Sequence, residues 1–242
     1  MRTDRTARAL RPVQFEMSPS AFAEGSCLFS LGKTRVLCTA SVEEGIPPWK
    51  PDGSGGWITA EYSMLPRANR RRSPREAREG KQTGRTQEIQ RLVGRSLRAS
   101  VDLDRMGPYT VTLDCDVLQA DGGTRCASIC GATAALLQAL QTLPGADAAE
   151  LLVDPAAAIS VGMVDKEIRL DLEYAEDARA DVDLNLVMLA SGRFVEVQAS
   201  AEGRPFSRED LLAMTDLGRE GIVQLLDAMA QQTGLGPGGK KR

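Results

Sequence analysis

Three pairs of short apolar runs, each joined by a tight polar turn, constrain the fold of this chain more than any other feature. The paired runs cover residues 27–31 with 35–42, 159–164 with 167–172, and 186–189 with 194–199. Their connections are Gly32 with Lys33, Asp165 with Lys166, and Ser191 with Gly192. Turns of this kind join antiparallel neighbours, so the sequence predicts three β-hairpins. Residues 109–118 alternate apolar and polar side chains and predict a further strand.

Helical patterns separate these strands. We predict helices over residues 87–100, 125–143 and 208–229, the last with Ser207 as its N-cap. Strands and helices therefore recur in two halves of similar order, about 1–145 and 146–233. This order predicts an α+β fold, a duplicated sheet-plus-helices unit in one domain over residues 1–233. The remaining residues, 234–242, are rich in Gly and basic side chains and predict a disordered tail.

The chain of 242 residues contains no histidine. This absence excludes Ser-His-Asp and Cys-His catalysis, His-ligated zinc sites and the H-E-x-x-H motif. Chemistry must therefore use carboxylates, arginines, lysines, hydroxyls, thiols or a bound metal ion.

The five cysteines form no C-x-x-C pair. Their odd number and apolar neighbours predict reduced core residues rather than a disulfide framework. The N-terminus lacks the apolar segment of a signal peptide, and no stretch of 18 uninterrupted apolar residues occurs. We therefore expect a cytoplasmic protein that does not contact a membrane.

Charge is distributed unevenly along a chain whose formal net charge is only −3. Residues 65–98 hold eleven basic and three acidic side chains, and residues 165–183 hold eight acidic and three basic ones. The basic segment is dominated by arginine, which favours bidentate contacts to phosphate. It favours contact with a nucleic-acid backbone, and the alternative is a solvated charge run.

Two glycine-containing turns are candidate anion sites. In residues 114–125 a predicted strand runs into Gly122 and Gly123, and a helix begins at about Thr124. Unpaired amides at a helix N-terminus attract anions, and Arg125 adds a guanidinium. The alternative is a plain turn capped by Thr124. Residues 84–86, which include Arg85, lie directly ahead of the predicted helix at Gln87 and form the second candidate.

The acidic residues 176–183 are a candidate metal site. Crowded carboxylates repel one another unless a cation neutralises them. Oxygen ligands without His or Cys suit Mg²⁺ or Mn²⁺, whereas the simpler explanation is a hydrated acidic loop. Anion sites, a metal site and an arginine-rich loop together indicate phosphate-ester chemistry.

Several long motifs resemble the bacterial ribonuclease PH family. They are residues 56–67 (GWITAEYSMLPR), 84–92 (GRTQEIQRL), 113–128 (LDCDVLQADGGTRCAS), 172–177 (LEYAED) and 195–198 (VEVQ). The similarity extends from about residue 11 to residue 229 nearly without gaps.

This resemblance implies a phosphate-dependent 3′→5′ exoribonuclease that trims tRNA precursors and other structured RNA 3′ ends. It also implies the ribonuclease PH fold and a homohexamer built as a trimer of dimers. Carried over by motif, the phosphate-binding and catalytic residues are Arg85, Gly123, Thr124 and Arg125. The metal-site and catalytic aspartates are Asp177 and Asp183, and the tRNA-contacting arginines are Arg67, Arg72 and Arg75.

The chain departs from the family pattern at three places. Leu184 replaces a methionine between Asp183 and Asn185, a change that conserves volume. Asp4 and Arg5 lack the intervening glycine of the family, and Asp181 is an additional acid. Two other classes of function are left open by the residues alone: a non-catalytic RNA-binding subunit, and a small-molecule kinase that binds ATP at Gly122–Thr124.

Overall fold

The computed structural model describes residues 2, 5–51, 53–144 and 148–234. The first sheet contains strands β1 (Val13–Met17), β2 (Gly25–Leu31), β3 (Thr34–Glu44), β4 (Trp57–Met64) and β5 (Tyr109–Gln119), in the order β1-β2-β3-β5-β4. The second contains β6 (Ala156–Val164), β7 (Glu167–Leu170), β8 (Val182–Leu189) and β9 (Phe194–Ala201), in the order β7-β6-β8-β9. The helices are α1 (Glu76–Glu79), α2 (Gly84–Ser100), α3 (Thr124–Leu140), α4 (Ala148–Leu151), α5 (Tyr174–Asp177) and α6 (Arg208–Thr233).

The three predicted hairpins are confirmed, and each pairs antiparallel. Their turns use left-handed backbone: φ is 57° at Gly32 and 86° at Gly192. In the second hairpin both Asp165 and Lys166 have positive φ, as a two-residue turn between twisted strands requires.

Two strands were not predicted, and one predicted strand begins earlier than expected. β1 and β4 are absent from the prediction, and β4 runs parallel to β5. A parallel pair needs a long crossover, which α2 supplies. β8 begins at Val182 rather than at residue 186, so Asp183 lies in a strand, and the alternative of a hydrated acidic loop is wrong at that residue. Strand pairing with β6 and β9 provides the backbone partners that the local sequence does not show.

Helix α3 is the buried centre of the molecule. All but two of its 17 residues are buried, as expected for a helix whose surface is apolar on every side. It ends at Leu140, three residues before the predicted end. Its small side chains let strands approach closely: a Cβ on Gly131 would lie 2.8 Å from the Cys38 sulfur. The five cysteines are all free and buried, which confirms their prediction as core residues.

The long helices α2, α3 and α6 each contact strands of both sheets. This shared helical layer supports the single-domain organisation, whose proposed boundary between halves, near residue 145, stays a prediction. Within the described ranges, no helix combines the length and apolar character needed to cross a bilayer. The predicted disordered tail lies outside the described residues, apart from Gly234, which ends α6 in a left-handed conformation.

We expect Gly25→Ala to lower the free energy of unfolding by about 1–3 kcal/mol, because an added methyl group overpacks the core. A Cβ at Gly25 would lie 2.0 Å from the backbone oxygen of Ala135 in α3, and backbone cannot move aside as a side-chain tip can. Denaturant titration measures the change. Gly84→Ala is the control, since a Cβ there meets nothing within 4 Å; equal stability of both variants would contradict the packing argument.

Candidate active site

The turn between β5 and α3 lies directly against the second half of the chain. Gly122 and Gly123 have φ values of 81° and 68°, which side chains other than glycine rarely adopt. A Cβ on Gly122 would lie 2.4 Å from the Leu172 carbonyl oxygen and 2.9 Å from the Tyr174 nitrogen. The glycine therefore allows the first half's candidate phosphate loop to touch the segment that leads into α5.

The N-terminus of α3 presents backbone amides that no side chain caps. Gly123 is the N-cap and makes no side-chain capping bond, so the alternative of a turn capped by Thr124 is wrong. Thr124 instead accepts a hydrogen bond from the Tyr62 hydroxyl at 3.1 Å. Burial raises the pKa of Tyr62 despite this bond and nearby arginines. The Tyr62 hydroxyl therefore stays protonated and donates to the Thr124 oxygen, so the hydroxyl proton of Thr124 is available to an anion.

Two arginines flank this helix end. Arg85 is exposed in the first turn of α2, which corrects the prediction that placed it ahead of the helix. The helix starts earlier because the Thr83 side chain caps the Thr86 amide at 3.2 Å. Arg125 is fixed by Gln198 of β9 at 2.7 Å and by Glu88 of α2 at 3.2 Å, so residues from both halves of the chain hold its guanidinium.

The two predicted metal-site aspartates face these cations. Burial raises the pKa of Asp183, the negative charge of Asp177 raises it further, and the Asn185 amide, bound at 3.0 Å, opposes the shift. Partial burial also raises the pKa of Asp177, against the positive charges of Arg85 and Arg125. Arg85 and Arg125 therefore lie within electrostatic range of Asp177, and Arg125 also lies within range of Asp183.

Two aspartates suit a metal ion that takes its remaining oxygen ligands from water and substrate phosphate. Within the described part of the chain, no group of three or more His, Cys, Asp or Glu is arranged to hold a metal. Mg²⁺ typically uses one or two carboxylates together with water and substrate phosphates, which fits Asp177 and Asp183. The negative charge of Glu202, a residue to which the sequence analysis assigns no role, raises the pKa values of both aspartates further. Asp181, by contrast, pairs with Arg204 at 3.2 Å.

The predicted RNA-contacting arginines lie on the connection between β4 and α2. Arg67, Arg72 and Arg75 are all exposed. Below this connection is a cavity of about 930 Å³, lined by Arg75, Arg85 and Lys81 and, from β4 and β5, by Glu61, Asp114 and Asp116. Arg67 and Arg72 lie outside the cavity lining, so the structure brings only Arg75 of the three to the edge of the candidate site.

Tyr62, Asn185 and Gln198 contribute to the site, yet sequence reasoning gave them no role. Tyr62 and Gln198 occur in motifs quoted for the resemblance, whereas Asn185 follows Leu184, one of the departures from the family pattern. The signal that could have found them is a polar residue within an otherwise apolar strand pattern. Only the folded chain brings them together at the first turn of α3, where Tyr62 contacts Thr124, Gln198 contacts Arg125 and Asn185 contacts Cys126.

We expect Asp183→Asn to raise the melting temperature at neutral pH, because it removes a carboxylate whose ionised form the fold disfavours. Because the pKa of Asp183 is raised in the folded state, its ionised form destabilises the fold. This destabilisation is absent when the pH is below the ordinary aspartate pKa, and it is complete only when the pH is above the raised pKa. The advantage of the variant should therefore shrink as the pH falls. Thermal melts across pH test this, with the exposed Asp227→Asn as control. A pH-independent difference would contradict the electrostatic origin.

Comparisons with known proteins cover both halves of the chain. The model for the 3′ exoribonuclease family, domain 1, matches residues 9–140, and that for domain 2 matches residues 154–221. A Moorella thermoacetica protein described as Ribonuclease PH is 54% identical over 232 residues, which make up 95% of this chain and 93% of that protein.

Solved structures share the fold. Rice (Oryza sativa) Rrp46 aligns with a TM-score of 0.79 at 20% identity, covering 96% of this chain and 98% of Rrp46. An Archaeoglobus fulgidus exosome with RNA bound to its active site aligns with a TM-score of 0.77 at 23% identity, over 92% of this chain and 90% of that one. At these identities the likeness concerns the fold alone, and it confirms the predicted α+β architecture. The two family matches and the Moorella relative show that this chain belongs to the 3′ exoribonuclease family.

Proposed function

We propose that this protein is a phosphate-dependent 3′→5′ exoribonuclease that trims tRNA precursors and other structured RNA 3′ ends and releases nucleoside diphosphates. One observation carries the proposal: two arginines and an uncapped helix N-terminus face two carboxylates whose pKa values are raised. The arginines and the helix N-terminus suit an inorganic phosphate ion. The two carboxylates suit a divalent cation beside the scissile phosphodiester.

The chemistry needs no proton-accepting side chain. A phosphate oxygen attacks the last phosphodiester phosphorus and forms a P–O bond, while the bond from that phosphorus to the preceding 3′ oxygen breaks. Hydrogen phosphate brings its own proton, which ends on the leaving 3′ oxygen, so atoms and charge balance. Arg85, the Thr124 hydroxyl and the backbone of Gly123–Arg125 would orient the phosphate in line. This mechanism agrees with a chain that lacks histidine.

Asp177 and Asp183 would hold Mg²⁺ or Mn²⁺, which when bound offsets negative charge on the reacting phosphoryl group and leaving oxygen. The raised pKa of Asp183 supports this role, because a cation relieves the repulsion that burial intensifies. The thermal melts of wild type and Asp183→Asn, repeated with Mg²⁺, should show metal-dependent stabilisation of the wild type alone.

The decisive experiment compares RNA shortening with and without phosphate. We expect the wild type to release nucleoside diphosphates from tRNA carrying extra 3′ nucleotides only when phosphate is present. Arg85→Ala should lower turnover about a hundredfold or more, while tRNA binding without phosphate changes little. The matched control is Arg91→Ala, which replaces an exposed arginine six residues further along the same helix.

Each alternative outcome has a defined meaning. Shortening that yields nucleoside monophosphates in phosphate-free buffer would overturn the proposal. RNA binding without any shortening would identify a non-catalytic RNA-binding subunit, and ATP turnover without RNA would identify a kinase.

The RNA backbone would be bound by the charges of Arg67, Arg72 and Arg75, which are all exposed. Contacts of this kind hold phosphate groups and do not need to recognise base edges. Replacing the three by alanine should reduce the slope of log affinity against log salt by about 2, at roughly 0.7 per phosphate contact. The control replaces three exposed arginines elsewhere, Arg105, Arg193 and Arg219. An unchanged slope in the first variant would show that the connection does not hold RNA.

The functional unit would be a homohexamer assembled as a trimer of dimers. Large apolar side chains exposed on the single chain support burial in an assembly; they include Phe22, Trp49, Phe194, Leu212 and Val223. Sedimentation of the purified protein tests the hexamer. The free cysteines favour a reducing compartment, and we expect the cytoplasm.

A further inference from the structure

A buried ion pair lies behind the candidate phosphate loop, outside the set of residues assigned to substrate. Arg11 is 5% exposed, and Asp171 is completely buried. The Arg11 guanidinium contacts both carboxylate oxygens of Asp171, from Nε at 2.9 Å and from Nη2 at 2.6 Å. The Arg11 backbone amide donates to the same carboxylate at 2.8 Å. This geometry leaves Arg11 little freedom to rotate.

The other guanidinium hydrogens of Arg11 reach the loop itself. Nη1 donates to the Asp121 carbonyl at 2.6 Å, and Nη2 lies 3.4 Å from the Gly122 carbonyl. From the opposite strand, the Thr34 hydroxyl donates to the same Gly122 carbonyl at 2.7 Å and accepts from the Asp121 amide at 3.0 Å. Thr34 is completely buried. Two fixed side chains thus determine the orientation of three successive peptide groups, those that join residues 120 to 123.

The orientation of these peptide groups has a direct consequence for the helix end. The carbonyl and amide of a trans peptide point in opposite directions, and no cis peptide bond is found among the described residues. Holding the Gly122 carbonyl toward Arg11 and Thr34 therefore turns the Gly123 amide away from them. That amide joins the uncapped amides of the first turn of α3.

The same ion pair reaches the carboxylate side of the site. Asp171 precedes α5 by three residues, and its own carbonyl accepts a hydrogen bond from Arg5 at 2.7 Å. Within α5, Glu176 is 5% exposed and pairs with Arg2 at 2.6 Å and with Arg169 at 3.1 Å. The N-terminal segment thereby ties α5, which carries Asp177, to the phosphate loop.

We propose that Arg11, Asp171 and Thr34 are positioning residues that orient the Gly122–Gly123 peptides for phosphate. They do not touch substrate, and their effect is exerted through the backbone amides. This inference rests on the proposed phosphorolytic function and adds to it a source for the preorganisation of the phosphate site. It also assigns a role to the N-terminal segment, where Arg5 lacks the glycine expected before it.

The KM for phosphate distinguishes a positioning role from a general loss of folded protein. Thr34→Val keeps the side-chain shape but removes both hydroxyl contacts, and we expect it to raise the KM for phosphate about tenfold. Thr34→Ser retains the hydroxyl and should restore a KM close to that of the wild type. Arg11→Lys keeps a charge opposite Asp171 but cannot span the two loop carbonyls, so it should also raise the KM for phosphate.

Binding of tRNA without phosphate should stay within about twofold of wild type in all three variants, since the exposed arginines are untouched. The exposed pair of Arg8 and Glu220 supplies the control Glu220→Gln. A variant that only misfolds loses active enzyme, which lowers the apparent kcat without moving KM. Wild-type KM values in both Thr34→Val and Arg11→Lys would overturn the positioning role. Phosphate-independent shortening by the wild type would instead overturn the proposed function.

Discussion

The close contact at Gly122 is the constraint on which the arrangement of the site depends. Here the backbone of the first half lies against the backbone of residues 172–174, with space for a hydrogen but not for a methyl group. Everything cationic in the candidate site, namely Arg85, Arg125 and the N-terminus of α3, comes from the first half. The paired carboxylates Asp177 and Asp183 come from the second. A wider junction would separate the two sets of charges.

Buried charge reinforces this junction. Arg11 and Asp171 are removed from water, and such a pair is stabilising only when its remaining hydrogen-bonding groups are also satisfied. Here the loop carbonyls of Asp121 and Gly122 satisfy them. Because a misplaced loop would leave these groups without partners in a dry environment, the network favours one loop conformation over its neighbours. For a phosphate site, the main consequence of this buried network is a single defined loop conformation rather than a larger free energy of unfolding.

The electrostatics of the site explain why an ion-dependent reaction suits it. Burial raises the pKa values of both aspartates, the charge of Asp177 raises the pKa of Asp183 further, and the arginines only partly compensate. A cation on one side and a phosphate on the other would balance the two groups of like charge. The phosphorolytic reaction proposed above would use both, and neither requires histidine.

Sequence alone determined the hairpins, the buried helix α3, the charge segregation and, through long motifs, the family. These features follow from short-range rules: turn chemistry at Gly32 and Gly192, apolar periodicity, and glycines that precede a helix. It did not determine the parallel pairing of β4 with β5 or the strand conformation of Asp183, because both depend on partners distant along the chain. Nor could it show that Arg11 and Thr34 hold the loop, since 110 residues separate Arg11 from the carbonyl of Asp121 that it contacts. Only the tertiary structure, by packing two halves around α3, brings such residues within hydrogen-bonding distance.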